Sequence, residues 1–184
     1  MGNNTRSNKH NKQHISFGFT LVELMVVIGI IGIIAVLAVP NFARMQRQAR
    51  IRGACIKTAQ HFKQLRERAI STGGTYEIAI AFPDKYHYRM RRPDGSTEDF
   101  KLGGLAGPSV YFGGVGVAGQ PPEANIAAPG VNGNDFPLGR LIIDGRGGAT
   151  SGALYITNGR DNWAVGVTRL GKVATYQYMN GSWN

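Results

Sequence analysis

The sequence predicts an α+β fold in which a long N-terminal helix, half transmembrane and half amphipathic, packs on antiparallel β-sheets. Three observations lead there. Residues 19–39 form an apolar run whose only charge is Glu23. Residues 41–74 then place apolar side chains at helical spacing, and beyond Gly74 the chain breaks into short alternating runs separated by turn residues. The chain therefore divides into 1–18, a basic leader; 19–40, an apolar helix; 41–74, an amphipathic helix; and 75–184, an antiparallel β domain with a long loop at 113–138.

The apolar run is long enough, at about 30 Å of helix, to cross a bilayer. A cleavable secretory signal is the alternative, with Val36-Leu37-Ala38 as its small-residue site. Its apolar core, however, exceeds the usual length of roughly 7–15 residues and contains a carboxylate. Glu23 would cost up to about 2.5–3.5 kcal/mol if placed centrally in lipid, so it asks for a partner.

Pro40 lacks a backbone N–H and disfavours helical geometry at Val39, which predicts a helix kink there rather than an end. Past it, Ile51, Cys55, Thr58, Phe62, Leu65 and Ala69 fall on one stripe, with Arg50, Lys57, His61, Gln64 and Arg68 roughly opposite. Thr72-Gly73-Gly74 is a suitable stop. Cys55 on the stripe reads as packing, with a reactive thiol as the alternative.

In the last part, strands are expected at 75–82, 85–91, 97–102, 109–112, 141–144, 153–157, 163–169 and 172–178. Pro93-Asp94-Gly95, Asp144-Gly145 and Asn158-Gly159 supply the turns, because glycine accepts positive φ. The Gly- and Pro-rich stretch 113–138 is expected to be a mobile loop and a contact surface.

Composition excludes several function classes. The 26 glycines lack the G-X-Y period, which removes collagen, and a single cysteine removes disulfide scaffolds and CxxC sites. The net charge of +10 is concentrated: residues 44–68 carry eight Lys/Arg against Glu67 alone, whereas residues 69–184 are close to neutral. That basic stretch admits four readings: nucleic acid, anionic lipid, acidic partner subunits, or a solvated face. Gly114-Val115-Gly116-Val117-Ala118-Gly119 spells a dinucleotide motif, but Gln120-Pro121-Pro122 blocks the helix such a site requires. Gly145-Arg146-Gly147-Gly148 reads as a turn before an anion nest. Beyond the leader only His61 and His87 remain, and no nucleophile, base and orienter set or metal-ligand spacing is present. No catalysis, cofactor or metal is expected.

Gly18-Phe19-Thr20-Leu21-Val22-Glu23, preceded by a short basic leader and followed by an apolar helix with Pro40 just beyond its apolar run, resembles the class III signal of type IV pilins and type II secretion pseudopilins. The resemblance implies cleavage by a prepilin peptidase between Gly18 and Phe19, N-methylation of Phe19, and pairing of Glu23 with the N-terminal amine of a neighbouring subunit during assembly. It also implies a single-pass inner-membrane protein with a periplasmic globular domain. The Lys/Arg distribution argues the other way, since Arg44, Arg47, Arg50, Arg52 and Lys57 outnumber Arg6, Lys9 and Lys12 of the leader.

The last third, from Gly139-Arg140-Leu141-Ile142-Ile143-Asp144-Gly145-Arg146 to Arg169-Leu170-Gly171-Lys172-Val173, resembles the sheet domain of H-type minor pseudopilins and the related minor pilins of pilus biogenesis. This implies a structural subunit of the secretion pseudopilus, whose partners are other major and minor pseudopilins. The alternatives are a minor pilin in pilus assembly or DNA uptake, and an uncleaved single-span protein. Arg169 and Lys172 are the candidate anion or DNA contacts. Relatives often carry two basic residues where Gly171-Lys172-Val173-Ala174 has one, so nucleic acid is not the expected partner.

Overall fold

The computed structural model describes residues 19–102, 109–124 and 133–184, and the chain falls into two compact units divided after Phe42. Helix α1 spans Leu21–Thr72 and is followed, among the described residues, by nine strands: β1 Tyr76–Ile80, β2 His87–Arg91, β3 Thr97–Lys101, β4 Tyr111–Phe112, β5 Arg140–Ile143, β6 Gly152–Thr157, β7 Asn162–Val167, β8 Val173–Met179 and β9 Ser182–Trp183. All eight expected strands are present, and the long helix against antiparallel sheets is the pilin-like layout. The two-residue β9 is additional; nothing so short produces a readable alternation.

In the second unit, the apolar stripe of α1 is the spine of the core. Ile51, Cys55, Thr58, Phe62, Leu65 and Ala69 are all buried, each large side chain contributing about 1.5–3 kcal/mol of transfer free energy. Two sheets meet the stripe, one ordered β3-β2-β1-β5 and the other β4-β6-β7-β8-β9. Ile78 stands opposite Met90 on one side and Leu141 on the other, and Tyr76 opposite Ile143, so alternate residues of the first sheet point into the core. Its other face is charged, with ion pairs Glu77–Arg140 and Arg89–Asp99 in line with the same alternation.

The second sheet is covered on both faces. Leu154 and Ile156 join the main core while Ala153 and Tyr155 pack with Ala164, Tyr176 and Trp183 on the far side, which leaves every residue of β6 buried. The far side is covered by residues 113–124 and 133–135. Val115 exchanges hydrogen bonds with the Asn162 amide at 3.0 and 2.9 Å, Tyr178 Oη accepts from the Ala118 N–H at 2.9 Å, and Tyr176 Oη donates to Glu123 at 2.7 Å. Tyr155 N–H donates to the Gly133 carbonyl at 2.7 Å, and Asp135 N–H to that of Ala153 at 3.0 Å. The described parts of this loop are thus bonded onto the sheet, because its interior-facing polar groups complete bonds that β6 and β7 leave open. The part of the loop at 125–132 lies outside the described residues.

Two further expectations are corrected. At Asp144-Gly145 the positive φ belongs to Gly147 (φ 82), not Gly145. Asp144 Oδ1 accepts from the backbone of Arg146 and Gly148 at 2.8 and 2.9 Å and shapes the turn. Gly145 is required for another reason: a Cβ there would run into the Gly73 backbone at the end of α1. His61, expected on the polar flank, is half-buried, with its ring 4.3 Å from that of Phe100 and its Nδ1 2.8 Å from the Tyr88 hydroxyl.

Candidate processing and assembly site

The first unit holds the residues around the expected cleavage point. Gly18 and the leader lie outside the described residues. Phe19 is 83% exposed and precedes the helix. Thr20 is its N-cap: the Thr20 Oγ1 accepts the Glu23 backbone N–H at 3.2 Å, and the Thr20 carbonyl accepts the first helical bond from Leu24 at 3.2 Å. Glu23 therefore occupies the third helical position, where the unsatisfied N–H groups and the helix dipole favour a negative charge. The sequence held this signal as Thr20-Leu21-Val22-Glu23, the T-x-x-E pattern of a capping box.

From here the helix exposes apolar side chains on every side. Leu21, Val22, Leu24, Met25, Ile28, Ile31 and Ile34 are among them, and a helix apolar all round needs lipid or other helices as its solvent. Among the described residues no single helix is long and apolar enough to cross a membrane; Leu21–Val36 meets the requirement only jointly with Asn41–Thr72. Backbone helix continues through position 40 in α1, so Pro40 does not end it.

The basic candidates belong to the second unit. Arg169 and Lys172 are exposed on the β7–β8 turn, which Thr168 closes by accepting at its carbonyl from Gly171 at 2.9 Å and at its hydroxyl from Lys172 at 3.1 Å. Arg66, not distinguished from its neighbours by sequence, fixes that turn to the helix. Its Nε donates to the Gly147 carbonyl at 2.8 Å and its Nη2 to the Leu170 carbonyl at 3.2 Å. Cys55 is buried, its Sγ 3.6 Å from the Ala164 carbonyl, and burial pushes its thiol up to about 12, which is packing chemistry rather than nucleophile chemistry. Among the described residues no cluster of His, Cys, Asp and Glu could hold a metal ion.

Residues 15–39 match the family described as a prokaryotic N-terminal methylation motif. No curated protein and no solved structure matches the chain. The motif is a class III prepilin signal: it supports a pilin-like or pseudopilin precursor that is processed by prepilin peptidase and assembles with other pilins, it suggests an N-terminal membrane-anchoring helix, and its family is structural rather than enzymatic.

Proposed function

We propose that this chain is a minor pseudopilin of the H type, a structural subunit of the type II secretion pseudopilus. The observation that carries the reading is an apolar helix exposed on all sides, bearing one carboxylate in its first turn, within the matched methylation motif. In this reading the peptidase cuts after Gly18 and methylates Phe19, leaving a charged amine at the head of the helix. The helix anchors the subunit in the inner membrane with its globular unit in the periplasm. Pro40 loosens the helix at the membrane edge by removing one backbone bond. On assembly the apolar surface exchanges lipid for neighbouring helices. Glu23 then pairs with a neighbour's N-terminal amine, and this charge-assisted bond offsets the cost of burying both.

The test is Gly18→Ala, with the N-terminus read by mass spectrometry of the membrane fraction. The expected unsubstituted product begins at N-methylated Phe19, and the variant keeps its leader. A different N-terminus, or an uncut native chain, overturns the reading in favour of an ordinary single-span protein. Loss of secreted proteins in a deletion strain separates the pseudopilus from a pilus.

A second reading, a pilus minor pilin that touches DNA, draws on the paired exposure of Arg169 and Lys172 on one turn. Sub-micromolar duplex binding at physiological salt, abolished by Lys172→Ala, would favour it over the roughly 10⁻⁴–10⁻⁶ M expected of nonspecific contact.

A further inference from the structure

Between Glu23 and Glu67 the chain contains no acidic residue, and the first basic residues after the apolar run are Arg44, Arg47, Arg50 and Arg52. All four are exposed, and none takes part in the ion pairs of the described residues, which join Asp84, Asp99, Glu98 and Glu77 to partners elsewhere. Their directions matter. With 100° per residue and the buried Ile51 as reference, Arg44 and Arg47 fall within about 40° of the core stripe, whereas Arg50 and Arg52 fall about 100° to either side. Arg44 and Arg47 therefore continue the line of the core, but one and two turns before it begins, where nothing covers them. Met45, 61% exposed, lies between Arg44 and Arg47 in sequence and falls about 120° from Ile51, in the sector that the arginines leave open.

A partner subunit docking on one side would be served by a one-sided stripe. The four guanidinium groups fan over about 200° of the helix circumference along about 12 Å of its axis, wider than one docked subunit covers, and such a fan suits a continuous layer of anions through which the helix passes. Phosphodiesters match the planar fork of arginine. We infer that Arg44, Arg47, Arg50 and Arg52 form a collar that binds the anionic phospholipid headgroups of the leaflet from which the helix emerges. This rests on the membrane-anchor reading above and adds a lipid site to it. The collar holds the unassembled subunit at a fixed depth, and extraction into the filament must strip it from the headgroups. It also accounts for so much positive charge on the far side of the span from the leader.

The full chain, reconstituted into nanodiscs of mixed phosphatidylglycerol and phosphatidylcholine, is released in mild detergent and its retained lipid is read by native mass spectrometry. Phosphatidylglycerol is expected to be enriched at least about tenfold over its share in the disc, on the scale of attraction per basic residue near an anionic surface. The combined variant Arg44→Gln, Arg47→Gln, Arg50→Gln, Arg52→Gln, with helicity checked by circular dichroism, is expected to fall to parity, and Lys57→Gln with Lys63→Gln to stay enriched. Parity in the unsubstituted chain, enrichment that survives the fourfold change, equal loss in the lysine variant, or tighter retention of added duplex DNA each overturns the collar. A chain that never enters the nanodisc refutes the membrane reading itself; one that enters without lipid preference refutes the collar alone.

Discussion

The hydroxyl of Thr20 accepts the backbone N–H of Glu23 at 3.2 Å, so the only acid of the apolar helix is held in the turn that opens it. The cap fixes where the helix starts, and hence how far the Glu23 carboxylate stands from residue 19. Cap and carboxylate have separable roles.

Glu23→Gln keeps the volume and the cap but removes the charge. Membrane insertion should be unchanged or slightly easier, and leader cleavage should persist. Crosslinking to other pilin-like subunits, measured at matched membrane abundance, should fall by at least about tenfold, the equivalent of about 1.4 kcal/mol. Full crosslinking together with full secretion would assign Glu23 another role.

Residues 43–184 should fold without the apolar segment, because Ala43–Asn184 forms one compact unit with its own core. Within it, Arg66→Ala removes two charge-assisted bonds to the carbonyls of Gly147 and Leu170. A loss of about 2 kcal/mol is expected, read by urea unfolding of this fragment. Arg66→Lys should recover less than half, since an ammonium lacks the fork that spans both turns.

Arg66 also marks where the sequence stops being legible. The buried stripe from Ile51 to Ala69 and eight strands could be read because burial imposes a period on them. Arg66 looks like any other base in a basic run, and its partners are backbone carbonyls 81 and 104 residues away. Gly171 is similar: its positive φ is a turn signal, but a Cβ there would also meet the Gly147 carbonyl and the Arg66 side chain, a crowding created only by tertiary contact. Of the candidate processing site, Phe19 and Glu23 stand out in the sequence by their place in the apolar run, and the cap is present as a pattern at Thr20. The closure of the second sheet by Glu123 and Asp135 was hidden, since a Gly- and Pro-rich stretch looks the same whether it is packed or free.

His61 makes stability depend on pH. Burial, then the positive charge of Arg68, lowers its pKa from 6.5, against a smaller opposing pull from Glu98. The folded chain therefore resists the proton that the unfolded chain accepts. Above about pH 6.5 both forms are neutral and the contribution is intact; as pH falls towards the lowered folded value, it is lost. The Tm of residues 43–184 should drop between pH 7.5 and 5.5, and drop less steeply in His61→Gln. Equal slopes in thermal melts would exclude His61 as the cause.

Cys55 should be inert. With its thiol pushed up to about 12 and its side chain fully buried, it should resist alkylation by iodoacetamide at pH 8 and react only on unfolding. Mass spectrometry before and after addition of urea checks this, and rapid labelling of the native chain would contradict the packing seen around Ala164.

The hydrogen bonds that fasten residues 113–124 and 133–135 across the second sheet bear on how the protein can be labelled. A fluorophore or epitope inserted there would unseat the cover of β6 and expose Tyr155 and Ala153 to water. The tip of the β2–β3 hairpin, Asp94-Gly95, is fully on the surface and carries only its own local bonds to Ser96 and Arg92. A tag placed there leaves both sheets and the helix untouched, which makes that hairpin the practical handle for following the subunit in living cells.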